Sequence, residues 1–243
     1  MKNLLLIPLF LMCFMIGHSQ QKATSNKSKW VDLAATAGSS KGSVAASYVY
    51  AWKTGKRQRW EIGLGARLTS AFGEKIDFIT APAKLSRSNT VPFLIVFAGQ
   101  KTENWDTLTV QRPFTNSLNL TANFGYNFSS KWKAGFNIDL IGFAFGRKSS
   151  AILTSNGVTR TESEAKPAVF NALLTGDLDY GNLNSEFFLQ HHFNDLWSVR
   201  AVYQFIFTEY KTTNIKQVAP DGTMVDRFRS KANNLGLGVS YSL

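Results

Sequence analysis

Cysteine is almost missing from this sequence. The single one, Cys13, stands in an apolar stretch near the start, and none follows it through residue 243. From there on no disulfide can staple the chain and no thiolate can hold a metal, so stability has to come from a packed core or from a sheet closed on itself. Long apolar runs are also scarce. Beyond residue 16 the longest spans 91–98 and contains Pro92, well short of the roughly 20 residues that a membrane-crossing helix needs. Acidic residues are few, 16 against 27 Lys and Arg, for a net charge of +11. The cations are dispersed (Lys53, Lys56, Arg57; Lys131; Arg147, Lys148; Arg227, Arg229, Lys231). No basic tract of the kind that binds nucleic acid forms. Scattered positive charge suits an anionic membrane surface and equally an ordinary soluble one. There are three histidines, no glycine-rich phosphate cradle and no metal-ligand spacing, so no cofactor is expected.

The opening MKNLLLIPLFLMCFMIGHSQ has one lysine, an apolar run over 4–16 and a small-flanked end at Gly17-His18-Ser19. It reads as a signal peptide over 1–19, cut before Gln20. Met12 stands before Cys13 where a lipoprotein would have a small residue. The remainder, 20–243, fits one domain, since all-β barrels reach that length as single units.

What the sequence does have is alternation. In WKAGFNIDLIGFAFG (132–146), Trp132, Ala134, Phe136, Ile138 and Leu140 fall on one face of an extended strand, and Lys133, Gly135, Asn137 and Asp139 on the other. A period of two is the strand signature. Seven other segments repeat it: 29–36, 43–52, 59–69, 118–128, 183–193, 197–208 and 235–243. The connections at 39–42, 54–57, 129–131 and 194–196 are short; those at about 70–117, 147–182 and 210–232 are long. From the second strand onward short and long alternate, which in an up-and-down barrel puts the long loops at one end and both termini at the other.

Alternation alone leaves two solutions, a soluble calyx with its apolar face inward and a membrane barrel with that face outward. Three features favour the membrane. Trp52, Trp60, Phe128, Trp132, Phe193 and Trp197 lie beside the short turns on the apolar face, as an aromatic belt at one interface would. The polar face mixes glycine with charges of both signs, Glu61, Arg67, Asp139, Glu186 and Arg200. Glycine and asparagine weaken a water-facing strand but leave room for long side chains to cross a narrow lumen. The last segment ends at Leu243 in apolar register. The fold expected is therefore all-β, an eight-stranded antiparallel up-and-down transmembrane β-barrel, with Phe136, Ile138 and Leu140 toward lipid and Asn137 and Asp139 toward the lumen.

On this pattern of alternation, loop asymmetry, leader and terminal strand, the chain resembles the eight-stranded outer-membrane β-barrel family, OmpA- and OmpX-like, in its Bacteroidetes-type form. No short motif carries the resemblance, and the terminal residue is leucine where many members have phenylalanine. No peptidoglycan-binding domain follows, so a wall-anchoring role is not implied. The resemblance implies outer-membrane localisation and contact with outer-membrane lipid and lipopolysaccharide.

Eight strands enclose a space that side chains largely fill, which argues against a general diffusion pore. Glu61, Arg67, Asp139, Glu186 and Arg200 would form a lumenal charge network, read as structural ahead of an ion path. Barrels of this type include lipid hydrolases, yet the only adjacent histidine pair, His191 and His192, has Asn194 nearby rather than serine, so a nucleophile beside its base is wanting. Arg227, Arg229 and Lys231 are candidates for glycolipid phosphates. The apolar segment 91–98 reads as a contact site, a strand extension or a flap over the barrel mouth. The function expected is a non-catalytic structural or surface-interaction role, with a protein partner engaged through the long loops. A component of an export or assembly complex, a soluble lipid-binding calyx and an outer-membrane lipid hydrolase are the alternatives.

Overall fold

The computed structural model describes residues 26–155 and 157–243; the expected leader lies outside the described residues. In chain order the strands are β1 (Lys27–Ala37), β2 (Gly42–Thr54), β3 (Trp60–Phe72), β4 (Lys75–Thr80), β5 (Thr107–Gln111), β6 (Phe114–Asn127), β7 (Trp132–Gly146) and β8 (Ser149–Ser155). They continue as β9 (Val158–Pro167), β10 (Phe170–Ala172), β11 (Leu183–His192), β12 (Trp197–Lys211), β13 (Gln217–Val218), β14 (Met224–Val225) and β15 (Arg227–Ser242). No described helix is long and apolar enough to cross a membrane.

The long alternating segments pair with their sequence neighbours, all antiparallel. β1 joins β2, then β3, β6, β7, β11, β12 and β15 follow. β15 then returns to β1, from Trp30 opposite Ser242 to Ala37 opposite Leu235. The pairing path closes on itself, so this part of the sheet has no free edge. Both described ends of the chain and the turns around 55–59, 128–131 and 193–196 sit at one mouth of the ring.

The three segments expected as long loops contain further strands. β4, β5, β8 and β9 pair in succession, β4 joins the outer end of β15 and β9 joins the outer end of β12. Because β12 and β15 also pair with each other there, a second ring closes above the first on two shared strands. Its centre is an apolar cluster of Ile76, Phe78, Leu108, Val110, Ala151, Leu153, Ala165, Tyr210 and Phe228, all buried. Each of these short strands contributes only one or two inward apolar residues, too few to stand out as periodic in sequence. The last strand also begins earlier than 235, at Arg227, because its outer half is ionic where its inner half alternates with leucine.

One irregularity corrects the reading of 132–146. The β6–β7 register shifts at Leu120/Thr121, which pair with Ile141 and Asp139 and leave Leu140 as an extra residue. A bulge of this kind moves every later side chain to the other face. Beyond it Ile141, Phe143 and Phe145 take the outward side and Ala144 is buried.

Candidate functional site

In the first ring the faces divide sharply by polarity. Along β3, Trp60, Ile62, Leu64 and Leu68 are exposed while Glu61, Arg67 and Thr69 between them are buried. The contrast is large: Leu64 is 57% exposed, Leu120 58% and Leu235 70%, against 1% for Arg67 and 0% for Asp139. The exterior is a girdle of apolar side chains and the interior is polar.

That interior is an ion-pair network. Arg67 reaches Asp139 at 2.6 Å and Glu186 at 3.4 Å, and Arg200 reaches Glu186 at 3.2 Å and Asp32 at 2.7 Å. Four of the five expected lumenal charges are therefore joined, with Glu186 bridging the two guanidinium groups. The fifth, Glu61, sits in a separate pair with Lys133 at 2.6 Å. Asp32, and Lys133, which alternation had placed on the polar face without a role, complete the set. The remaining valences are mostly satisfied: Asp139 accepts from the Asn119 amide at 2.7 Å and the Asn184 backbone N–H at 2.9 Å, and Asp32 accepts from Trp30 Nε1 at 3.0 Å. The Arg200 guanidinium lies 4.0 Å from the centre of the Phe188 ring, and the Lys133 ammonium 4.0 Å from that of Trp30.

Glycine makes room for these long side chains at defined places. A Cβ on Gly125 would come within 2.7 Å of Lys133 Cε, and one on Gly135 would collide with the Phe188 ring. Above the charges lies a neutral layer in which Gln204 accepts from Thr36 at 2.6 Å and from Asn234 at 2.8 Å and donates to Ser43 at 2.9 Å. Next comes Lys41, whose ammonium donates to Thr208 Oγ1 and to the Ser230 carbonyl, each at 3.1 Å. Burial pushes its pKa down from 10.5 to about 7. The apolar cluster of the second ring follows directly. A cavity of about 10 Å³ bordered by Thr69, Thr115, Asn184 and Thr208 is room for about one water. The interior is filled rather than open.

The six aromatics expected as a belt, Trp52, Trp60, Phe128, Trp132, Phe193 and Trp197, all project outward near the short-turn mouth and are exposed. Trp60 packs on Tyr126 and Trp197 on Tyr241 across strand pairs, with ring centres 4.7 and 4.8 Å apart. His191 belongs to the same group, between Trp132 and Phe193. Asn194 Oδ1 accepts the backbone N–H groups of Leu196 and Trp197, the role of a turn former. Among the described residues no group of three or more His, Cys, Asp and Glu is placed to hold a metal ion.

At the outer end, Arg227, Arg229 and Lys231 meet carboxylates of this chain. Arg227 and Arg229 bind the fully buried Glu209 at 2.9 and 2.5 Å, while Lys231 pairs with Asp177. Asp177 also accepts from Arg87. Its burial alone would raise its carboxyl, but Lys231 and Arg87 hold it below the ordinary value. The turn carrying Asp177, a 3-10 turn at Gly176–Leu178, thereby covers the outer face of β12 and β15.

No family model matches this chain, and no curated protein matches it. Among solved structures it is similar to the Neisserial surface protein A (9% identity, 89% of this chain and 97% of that one, TM-score 0.36). It is likewise similar to Ail, the attachment invasion locus protein of Yersinia pestis (10%, 90% and 99%, TM-score 0.37), and to the Pseudomonas putida toluene transporter TodX (9%, 90% and 90%, TM-score 0.28). Likenesses this distant carry no functional weight.

Proposed function

We propose that this chain is an integral outer-membrane protein, an eight-stranded up-and-down β-barrel exported by its leader, with a structural or surface-interaction role and no catalytic one. A single observation carries the reading. Along β12 and β15 the outward face is apolar at one level (Val199, Ala201, Tyr203, Phe205; Val239, Leu237, Leu235) and ionic at the next, where Lys211, Arg227 and Lys231 reach the surface and Glu209 and Arg229 lie buried under the turn that carries Asp177. The inward face changes the opposite way, from Arg200, Gln204 and Asn234 to Tyr210 and Phe228. One pair of strands with both faces inverted fits two different outer solvents, hydrocarbon around the first ring and water around the second. A soluble calyx would keep one polarity throughout.

The aromatic band at the short-turn mouth supports an interface at that level. The filled, ion-paired interior supports a scaffold over a conduit, and the second ring is the surface available to a protein partner. Outer-membrane lipid and lipopolysaccharide are the surroundings this reading implies.

Cell fractionation with gel mobility compared before and after boiling tests it. Sedimentation with the outer membrane and a heat-dependent mobility change are expected. Recovery in the soluble periplasm would overturn the membrane reading and turn the search toward a ligand-binding calyx.

A further inference from the structure

The apolar segment 91–98 is neither a strand extension nor a closed flap. It carries a 3-10 turn at Leu94–Phe97 on the tip of an excursion between β4 and β5. Only Ile95 points inward, 1% exposed, while Phe93 is 78% exposed and Phe97 87%. Phe93 holds φ at 67°, a conformation uncommon for a bulky side chain. The neck is tied: the Ser88 N–H donates to the Gly99 carbonyl at 2.9 Å, and Arg87 Nη1 donates to the Ala98 carbonyl at 2.8 Å. The shape is a pre-formed finger with aromatic side chains at its end, and from 88 to 100 it contains no charged residue.

Its root can be located against the girdle. Arg87 holds Asp177, and Asp177 holds Lys231. On the outward face of β15, Lys231 comes two positions before Asn233 and four before Leu235, so it marks the rim where the apolar band stops. The turn beneath the finger starts in the wall itself, since the Leu173 N–H donates to the Leu140 carbonyl at 2.7 Å, and Leu174 beside it is exposed. Ile95 and Val96 lie over Gly176, where a Cβ would stand 3.4 and 3.8 Å from them. The exposed apolar surface thus continues from the wall through Leu174 to the fingertip. Arg87 at the root is neutralised by Asp177, and Lys101 just past the neutral tip stands where a segment lying in a lipid interface places a cation at headgroup level.

We propose that the finger inserts its tip among the outer-leaflet acyl chains at the rim of the girdle and fastens the second ring to the lipid surface. This rests on the membrane reading above. The test places single cysteines in a Cys13→Ser chain at Phe97, at Leu120 on the girdle and at Val158 on the β8–β9 turn. Each is labelled with nitrobenzoxadiazole and the protein is reconstituted in phosphatidylethanolamine/phosphatidylglycerol vesicles carrying a nitroxide high on the acyl chain. Loss of fluorescence at F97C equal to that at L120C, with V158C unquenched, is the result expected. Quenching of L120C alone, with F97C open to aqueous iodide, would overturn the finger and leave the barrel standing. Lipid quenching at neither L120C nor F97C would overturn both.

Discussion

Tyr210 of β12 and Phe228 of β15 stand directly opposite each other in the strand register, and both are completely buried. One step further inward along the same face the pair is Thr208 and Ser230, which hold the Lys41 ammonium. The change from polar to apolar interior therefore occurs within two residues on each strand, and Tyr210 and Phe228 are the first members of the apolar side.

Truncating either ring should loosen the second ring first. Phe228→Ala is expected to destabilise that ring by about 3–5 kcal/mol, the range for a buried phenylalanine. Limited proteolysis should then cut within 75–111 or 149–167 while the boiling-dependent mobility change persists. An uncut, wild-type fragment pattern would argue against a separately packed outer core.

Arg200→Ala leaves Asp32 and Glu186 without one of their cations in a sealed interior. The expected loss is about 3–5 kcal/mol, since removing one partner strands a buried charge. A urea titration of vesicle-reconstituted protein followed by tryptophan fluorescence measures it. An unmoved midpoint would mean that water reaches these carboxylates.

Lys41 gives a pH dependence of definite sign. Its value is about 7 in the folded protein against 10.5 for a free lysine, so between those limits the folded state binds fewer protons than the unfolded one. Stability should rise with pH through that window, by an amount on the order of a few kcal/mol at most. Below pH 7 the cost of burying the charged ammonium is fully present. Lys41→Met should flatten the slope of the unfolding midpoint between pH 7 and 10; an equally steep variant would assign the dependence elsewhere.

Glu162 supports the second ring from outside the apolar cluster. Its carboxylate accepts the backbone N–H groups of Thr213, Asn214 and Ile215 at 3.0, 2.8 and 3.1 Å, and that of Glu164 at 2.8 Å. Burial would raise its carboxyl, but these donors hold it below 4.5. A depressed acid contributes stability above its unfolded value that fades as pH falls through the folded one. Glu162→Gln should therefore lower stability at neutral pH and remove part of the loss seen on acidification below about 4.5. Hydrogen exchange at Asn214 and Ile215 reports it, with faster exchange expected in the variant.

The first ring was legible because its physics is periodic. Eleven residues such as 59–69 carry five outward apolar positions, and the two faces differ by whole charges, so the strand and its sidedness follow from spacing alone. The bulge at Leu140 was not legible, because LIGFAFG is apolar in both registers and only pairing with Leu120 and Thr121 distinguishes them. The second ring was hidden for a related reason. A strand such as TLTVQ offers two inward residues, Leu108 and Val110, and its meaning depends on neighbours 28 to 47 residues away in sequence. Lys133 was assigned to the polar face but not paired, since alternation gives the side of the sheet and not the strand order and height that bring Glu61 beside it across β6. The same limit explains Arg227, Arg229 and Lys231, whose carboxylate partners Glu209 and Asp177 are distant in sequence.

Because β15 closes the first ring against β1 and the second against β4, both cylinders share one last seam. During synthesis every other strand emerges before it. Neither compartment can seal until Arg227–Ser242 has been laid in place, and that one strand completes both.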